Sequence, residues 1–170
     1  RKKAETLTEI RKKAGKSLSE KIVSELSFLD MPSVKFECRI SEAEPSEKGF
    51  DSAEFLISAN PGEELRPISK IASGGELSRI MLGIKSVLSE AEEVPTLIFD
   101  EIDTGVSGKA AQKIALKLAQ IAKHKQILVV THLVQMAAMG DRHLLISKRT
   151  ENGKTFTEVL PLDEKGRIEE

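Results

Sequence analysis

The chain is 170 residues long, with 39% hydrophobic and 31% charged residues, the balance of an ordinary globular domain large enough to bury a core. Its 26 basic and 27 acidic residues leave a formal net charge of −1, which excludes overall attraction to nucleic acid and confines any DNA contact to a local patch. Cys38 is the single cysteine, so there is no intramolecular disulfide and no cysteine metal site.

The three histidines are scattered along the chain, which gives no metal constellation. Trp and Tyr are absent, weighing against base stacking as a route to nucleic-acid binding. Nothing reads as a signal peptide, and no apolar run approaches the roughly 18 residues of a membrane span. A reducing, cytoplasmic setting and no membrane partner are expected.

From Ala4 to Leu29 apolar residues recur in steps of three and four (Leu7, Ile10, Ala14, Leu18, Ile22, Leu26). That predicts one narrow helical stripe on a charged rod, close to a coiled-coil seam. The helix starts without a cap and is expected to end at Met31-Pro32. The basic residues clustered along it, from Arg1 to Lys21, read as a solvated face.

Val34 to Ile40 alternates as a strand does, with Cys38 on the core side. Glu42 to Asp51 is charged and holds Pro45 and Gly49, predicting an exposed loop. Ala53 to Ser58 reads as a second strand, and Asn60-Pro61-Gly62 as a turn. After Ala72-Ser73-Gly74-Gly75-Glu76 comes an amphipathic helix carrying Leu77, Ile80, Met81, Ile84, Val87, Leu88 and Ala91.

Thr96 to Phe99 is a short apolar run ending in Asp100-Glu101. It predicts a strand buried on both faces that brings two carboxylates to a sheet edge, where ligands of open α/β sheets gather. A buried unpaired carboxylate is costly, so these acids should meet water, a metal or a cation. A loop follows to Gly108, then an amphipathic helix over 110–122 and a second apolar strand from Gln126 to Thr131-His132. A short helix with Met136 reaches Gly140. Arg142–Ser147 and Thr155–Leu160 read as strands joined through Asn152-Gly153, a tight hairpin signal. Strand, helix, strand, helix from 96 to 140 predicts parallel strands with crossover helices.

Three groupings could carry chemistry. Ser73 and Glu76, three apart, form a capping box, but capping does not account for Gly74 and Gly75. Each glycine costs about 1 kcal/mol relative to alanine inside a helix, so a close approach to the backbone is expected there. Amides at a helix N-terminus, with the dipole behind them, suit a phosphate. The second grouping is Asp100-Glu101. The third is His132, just past a buried strand and on the same sheet edge if the strands are neighbours. Gly108-Lys109 is not the end of a P-loop, because that motif needs glycine at 103 and Ser or Thr at 110, where the chain has Asp103 and Ala110.

Taken in order, Ser73-Gly74-Gly75-Glu76, the Leu97–Glu101 strand, the loop Asp103-Thr104-Gly105-Val106-Ser107 and Thr131-His132 resemble the signature motif, Walker B, D-loop and H-loop of ABC-type ATPases. The Gly-Gly-Glu and Asp-Glu-Ile-Asp forms are similar to the SMC-related branch. Residues 60–63, 72–79, 99–108 and 131–135 narrow the resemblance to the RecN family of bacterial DNA double-strand-break repair proteins, over essentially the whole chain.

The resemblance implies an α/β fold: the C-terminal lobe of an ABC/SMC-type head with a mostly parallel core sheet flanked by helices. Residues 1–30 would be the end of a coiled-coil arm and 31–170 the second half of the head. The resemblance further implies as partners the first half, with the P-loop, a second copy of the head in an ATP-dependent homodimer and, in the complete protein, DNA at the nucleoid.

ATP and Mg²⁺ are the implied cofactors. Asp100 would help hold Mg²⁺, Glu101 would act as general base, and His132 would contact the γ-phosphate or orient water. Ser73, Gly74, Gly75 and Glu76, with Asp103, Gly105 and Ser107, would face nucleotide. Ala72 departs from the common leucine and Ser107 from the common aspartate. The fragment alone is expected to be inactive. The alternatives are another SMC-like or ABC ATPase head and a non-catalytic dimerisation or binding module.

Overall fold

The narrow apolar stripe forms α1, Lys2–Phe28, in a computed structural model that describes residues 2–71, 73–89 and 91–169. The two halves of α1 are covered differently: Ile22 and Leu26 are fully buried, whereas Ile10 is 58% exposed. Gly15 lets the next strand lie close, since an added Cβ would stand 3.2 Å from the Cys38 carbonyl oxygen and Sγ. The helix stops at a left-handed cap before Pro32 acts. Asp30 has φ 68°, and the Met31 and Asp30 amides donate to the Leu26 and Ser27 carbonyls at 3.0 and 3.2 Å, satisfying carbonyls the last turn would leave open.

The segment expected to be an exposed loop is a hairpin. β1 (Lys35–Ser46) and β2 (Gly49–Ser58) pair antiparallel from Lys35↔Ser58 to Glu42↔Asp51 and again at Ser46↔Gly49. Residues 41–46 of β1 are exposed throughout, so that strand carries no alternation there, and Pro45 falls where the register is interrupted, as a residue without an N–H must. Thr8 and Arg11 of α1 both donate to the Asp51 carboxylate. Cys38, expected in the core, is only half-buried. β3 (Arg66–Pro67) adds to β2, and a single 3₁₀ turn covers Ile68–Lys70.

α2 spans Gly74–Leu88, β4 Thr96–Phe99, α3 Gly108–Ala122 and β5 Gln126–Val129. β4 and β5 are parallel, in register from Thr96↔Gln126 to Phe99↔Val129, with α3 as the crossover. α4 covers Val134–Ala137. β6 (Leu144–Glu151) and β7 (Lys154–Pro161) form the expected hairpin. Its turn has Asn152 at φ 52° and Gly153 at φ 74°, the two positive values a tight primed turn requires. The sequence reading did not include a terminal helix, α5, Glu164–Glu169.

Two apolar clusters share α2. Leu82 joins Leu97, Phe99, Ile102, Ile114 and Leu118 between α3 and β4. Ile80 and Ile84 join Ile22, Leu26, Phe36 and Ile57 between α1 and the first sheet. Glu25 of α1 ties the clusters together, bonding Lys117 of α3 at 2.7 Å and Ser86 of α2 at 3.2 Å.

One expectation fails here. β4 is covered on one face only: Leu97 and Phe99 are buried while Ile98 is 69% exposed, as is 44% of Leu128 beside it. A continuous apolar run fitted two covered faces, but nothing in the described residues lies on the second. No helix among those residues is long and apolar enough to cross a membrane.

Candidate functional site at the end of β4

β4 ends at Phe99, and the chain turns sharply. Asp100 is exposed, and its Oδ1 accepts the Glu101 amide at 2.9 Å. Glu101 then adopts φ 56°, a left-handed conformation uncommon for a residue with a side chain. The Thr104 amide closes the turn on the Glu101 carbonyl at 3.1 Å.

The first turns of α2 are fastened to this loop. The Ser78 hydroxyl donates to the Asp100 carbonyl, and Arg79 Nη1 to the Thr104 carbonyl, both at 2.8 Å. Arg79 is 9% exposed. Burial lowers its pKa, with the Glu76 charge opposing. Gly75 is where the two segments touch: an added Cβ would stand 2.9 Å from the Thr104 carbonyl oxygen and Cβ and 3.2 Å from the Glu101 carbonyl oxygen. Gly74 is exposed, and an added Cβ there would meet a Glu101 carboxylate oxygen at 2.3 Å.

The close approach anticipated from the two glycines therefore exists, and the chain's own 101–104 loop makes it. Ser73 stands at the N-cap, its hydroxyl accepting the Glu76 amide at 3.5 Å, a long bond that leaves most of the helix's first amides without a side-chain cap. Ala72 lies outside the described residues.

Asp103 points inward. It is 3% exposed, and its Oδ2 accepts the Thr131 hydroxyl at 2.5 Å and the His132 amide at 2.9 Å. The same oxygen lies 3.2 Å from His132 Nδ1. Burial pushes this carboxyl up, but the Thr131 hydroxyl, the backbone amides of His132 and Asp103 and the His132 charge together hold it below its usual value. His132 itself is largely outside, with 74% of its side chain exposed. Gly105 adopts φ 73° with open space around it. Ser107 takes the N-cap position of α3 without a side-chain capping bond.

The structure thus joins Gly74, Gly75 and Glu101 on one side and Asp103 with His132 on the other, through the loop they share. Ser78, Arg79 and Thr131 fall within the motifs legible in sequence, but no role for them was legible there. Arg79 left a signal: it falls on the buried helical face between Gly75 and Leu82, where an unpaired cation would be costly.

Among the described residues, no group of three or more His, Cys, Asp or Glu side chains could hold a metal. Asp100 with Glu101 suits Mg²⁺ only in its usual mode, with one or two carboxylates completed by water and substrate phosphates.

The fold superposes on an SMC head domain with coiled coil and joint from Pyrococcus yayanosii with a TM-score of 0.64 at 19% identity, covering 91% of this chain and 28% of that one. A structure from work on ATP-driven dimerization and DNA-stimulated activation of SMC ATPases matches with a TM-score of 0.56 at 18% identity over 95% of this chain and 93% of that one. The fold is that of part of an SMC head domain.

By sequence the chain is 45% identical over 169 residues to the DNA repair protein RecN of Halalkalibacterium halodurans, covering 96% of this chain and 30% of that protein. Against RecN of Bacillus subtilis it is 43% identical over 183 residues, or 98% and 32% of the two chains. The chain belongs to the RecN family, and it spans about 30% of the length of those relatives. No family model matches it.

Proposed function

We propose that this chain is the second half of the ATPase head of a RecN-type protein, which hydrolyses ATP during repair and recombination at DNA double-strand breaks. Residues 1–30 are the end of the arm and 31–170 the head. The observation that carries the reading is the junction of the Gly74-Gly75 turn with the Asp100–Thr104 loop. An amide-rich helix start suited to phosphate and a strand-end carboxylate are fastened together by Ser78 and Arg79.

Each residue acts through what it can offer. Glu101 polarises the attacking water, an effect worth about 10²–10⁴-fold in rate. Asp100 would help hold Mg²⁺ through the ion's water shell, and the ion would supply charge to offset that of the phosphates. Ser73, Gly74 and Gly75 receive the γ-phosphate of ATP held by a second copy of the head, with Glu76 completing the turn. His132 contacts the γ-phosphate or orients the attacking water. Gly105 and Ser107 face the nucleotide. Since phosphoryl transfer depends on positioning and charge stabilisation, a site divided between two heads gives control by engagement. The P-loop half completes the head by covering the bare Ile98 and Leu128 face.

The test mixes this chain with the missing P-loop half, as wild type and as Glu101→Gln. Turnover by the wild-type mixture only, neither half working alone, with Glu101→Gln binding ATP but not hydrolysing it, is the expected result. Hydrolysis by Glu101→Gln at the wild-type rate refutes the base assignment. A non-catalytic module is the second reading, favoured by one observation: the packing of Gly75 against Thr104 explains that glycine without any phosphate. Folded, associated halves that bind no nucleotide would establish it.

A further inference from the structure

Asp103 is a carboxylate removed from solvent, and apart from its own amide its donors lie on the Thr131-His132 turn. A group meant to touch nucleotide would present its oxygens outward. Asp103 is 3% exposed instead, and it spends Oδ2 on the Thr131 hydroxyl at 2.5 Å and the His132 amide at 2.9 Å. Thr131 Oγ1 in turn accepts the Leu133 amide at 3.1 Å, so the hydroxyl links the carboxylate to the start of α4. These bonds span 28 and 29 residues of sequence and pin the loop after β4 to the loop after β5.

The imidazole completes the arrangement. His132 Nδ1 lies 3.2 Å from the same Asp103 oxygen. A carboxylate at that distance favours a proton on Nδ1 and so decides what the other ring nitrogen can do. With Nδ1 protonated, the neutral ring presents a lone pair at Nε2, an acceptor for a water proton. Donation from Nε2 to a phosphate oxygen then requires the charged ring. Buried acids that orient an exposed histidine in this manner set its tautomer and its direction together.

We propose that Asp103 is the positioning residue for His132: it fixes the Thr131-His132 turn and holds the imidazole as its Nδ1–H tautomer, leaving Nε2 free to act. The inference rests on the reading of His132 given under "Proposed function", and it moves Asp103 from the nucleotide-facing set to the support behind it.

The test begins with the 170-residue chain labelled with ¹⁵N-histidine, at a pH where the rings are neutral. His132→Gln identifies the signal against those of His124 and His143. The expected result is a dominant Nδ1–H tautomer for His132, with Asp103→Asn returning it to the Nε2–H form that free histidine prefers and leaving His124 unchanged. A dominant Nε2–H tautomer in the wild-type chain overturns the proposal, and that measurement needs no Asp103 variant to fold.

The second arm combines each variant with the P-loop half. Asp103→Asn is expected to lower kcat about 10–100-fold, the usual range for a supporting residue, with the KM for ATP unchanged. A raised KM at unchanged kcat makes Asp103 a nucleotide contact and overturns the proposal. So does full activity of Asp103→Asn where His132→Gln is inactive. If His132→Gln is itself fully active while the wild-type tautomer is Nδ1–H, the catalytic reading of His132 fails and the positioning by Asp103 stands.

Discussion

Replacing Gly75 by alanine tests how tightly α2 is seated on the 101–104 loop. The added methyl would lie 2.9 Å from the Thr104 carbonyl oxygen and Cβ and 3.2 Å from the Glu101 carbonyl oxygen. Two of these are backbone atoms in a turn closed by its own hydrogen bond and by Arg79, so the loop must shift. Overpacking of this kind costs about 1–3 kcal/mol. Against it stands the helix advantage of alanine, at most about 1 kcal/mol and smaller in a first turn. The expected net loss is about 1–2 kcal/mol, a fall of roughly 0.5–1 M in the urea midpoint for a slope near 2 kcal/mol/M.

Gly74→Ala is the internal control. Its added methyl meets the far end of the Glu101 side chain, which can swing away, so the change should stay within about 0.5 kcal/mol. With no Trp or Tyr in the chain, the transitions are followed by far-ultraviolet circular dichroism. Equal stability of Gly75→Ala and wild type, or equal damage from the two substitutions, refutes the packing argument.

Glu25→Gln leaves Lys117, 9% exposed and 2.7 Å from Glu25, without its counter-charge, and urea unfolding should show a loss of about 1–3 kcal/mol after allowing for the partial exposure of Glu25. Lys117→Met should cost less, because it removes the buried charge and leaves an acid that can reach water. Asp103 adds a pH dependence: its lowered carboxyl contributes stability that is whole above the unfolded value of 3.8 and is lost as pH falls through the lower native value. Thermal midpoints measured down an acid series should therefore fall more steeply for wild type than for Asp103→Asn. Ile98→Lys, at a 69% exposed site, should leave the stability measured by urea unfolding within about 0.5 kcal/mol of wild type. The same substitution should abolish co-purification with the P-loop half; retained association would show that this sheet face is not the contact.

Local pattern carried much of the architecture. The three-and-four spacing located α1, α2 and α3, the apolar runs located β4 and β5, and Asn152-Gly153 announced the β6–β7 turn, because each signal depends on residues within a turn or two of one another. The 42–51 hairpin was illegible for the same reason. Residues 41–46 of β1 are exposed throughout, so no alternation marks that strand, and only cross-strand pairing and the hold of Thr8 and Arg11 on Asp51 make the hairpin. The run from Thr96 to Phe99 misled in the opposite sense, since four apolar residues cannot report whether a second layer lies on the outer face.

The site divides along the same line. Sequence by itself determined which residues stand at the helix start and strand ends: Ser73, Gly74 and Gly75, Asp100 and Glu101, Thr131 and His132. Tertiary structure alone decided what each one faces. Gly75 meets Thr104, Arg79 reaches back to the loop, and Asp103 turns from the solvent to His132 across 29 residues of chain. The physical reason is that a motif fixes the chemistry and local geometry of a residue, whereas its partner depends on how two distant segments pack. A buried carboxylate takes whichever donors that packing supplies.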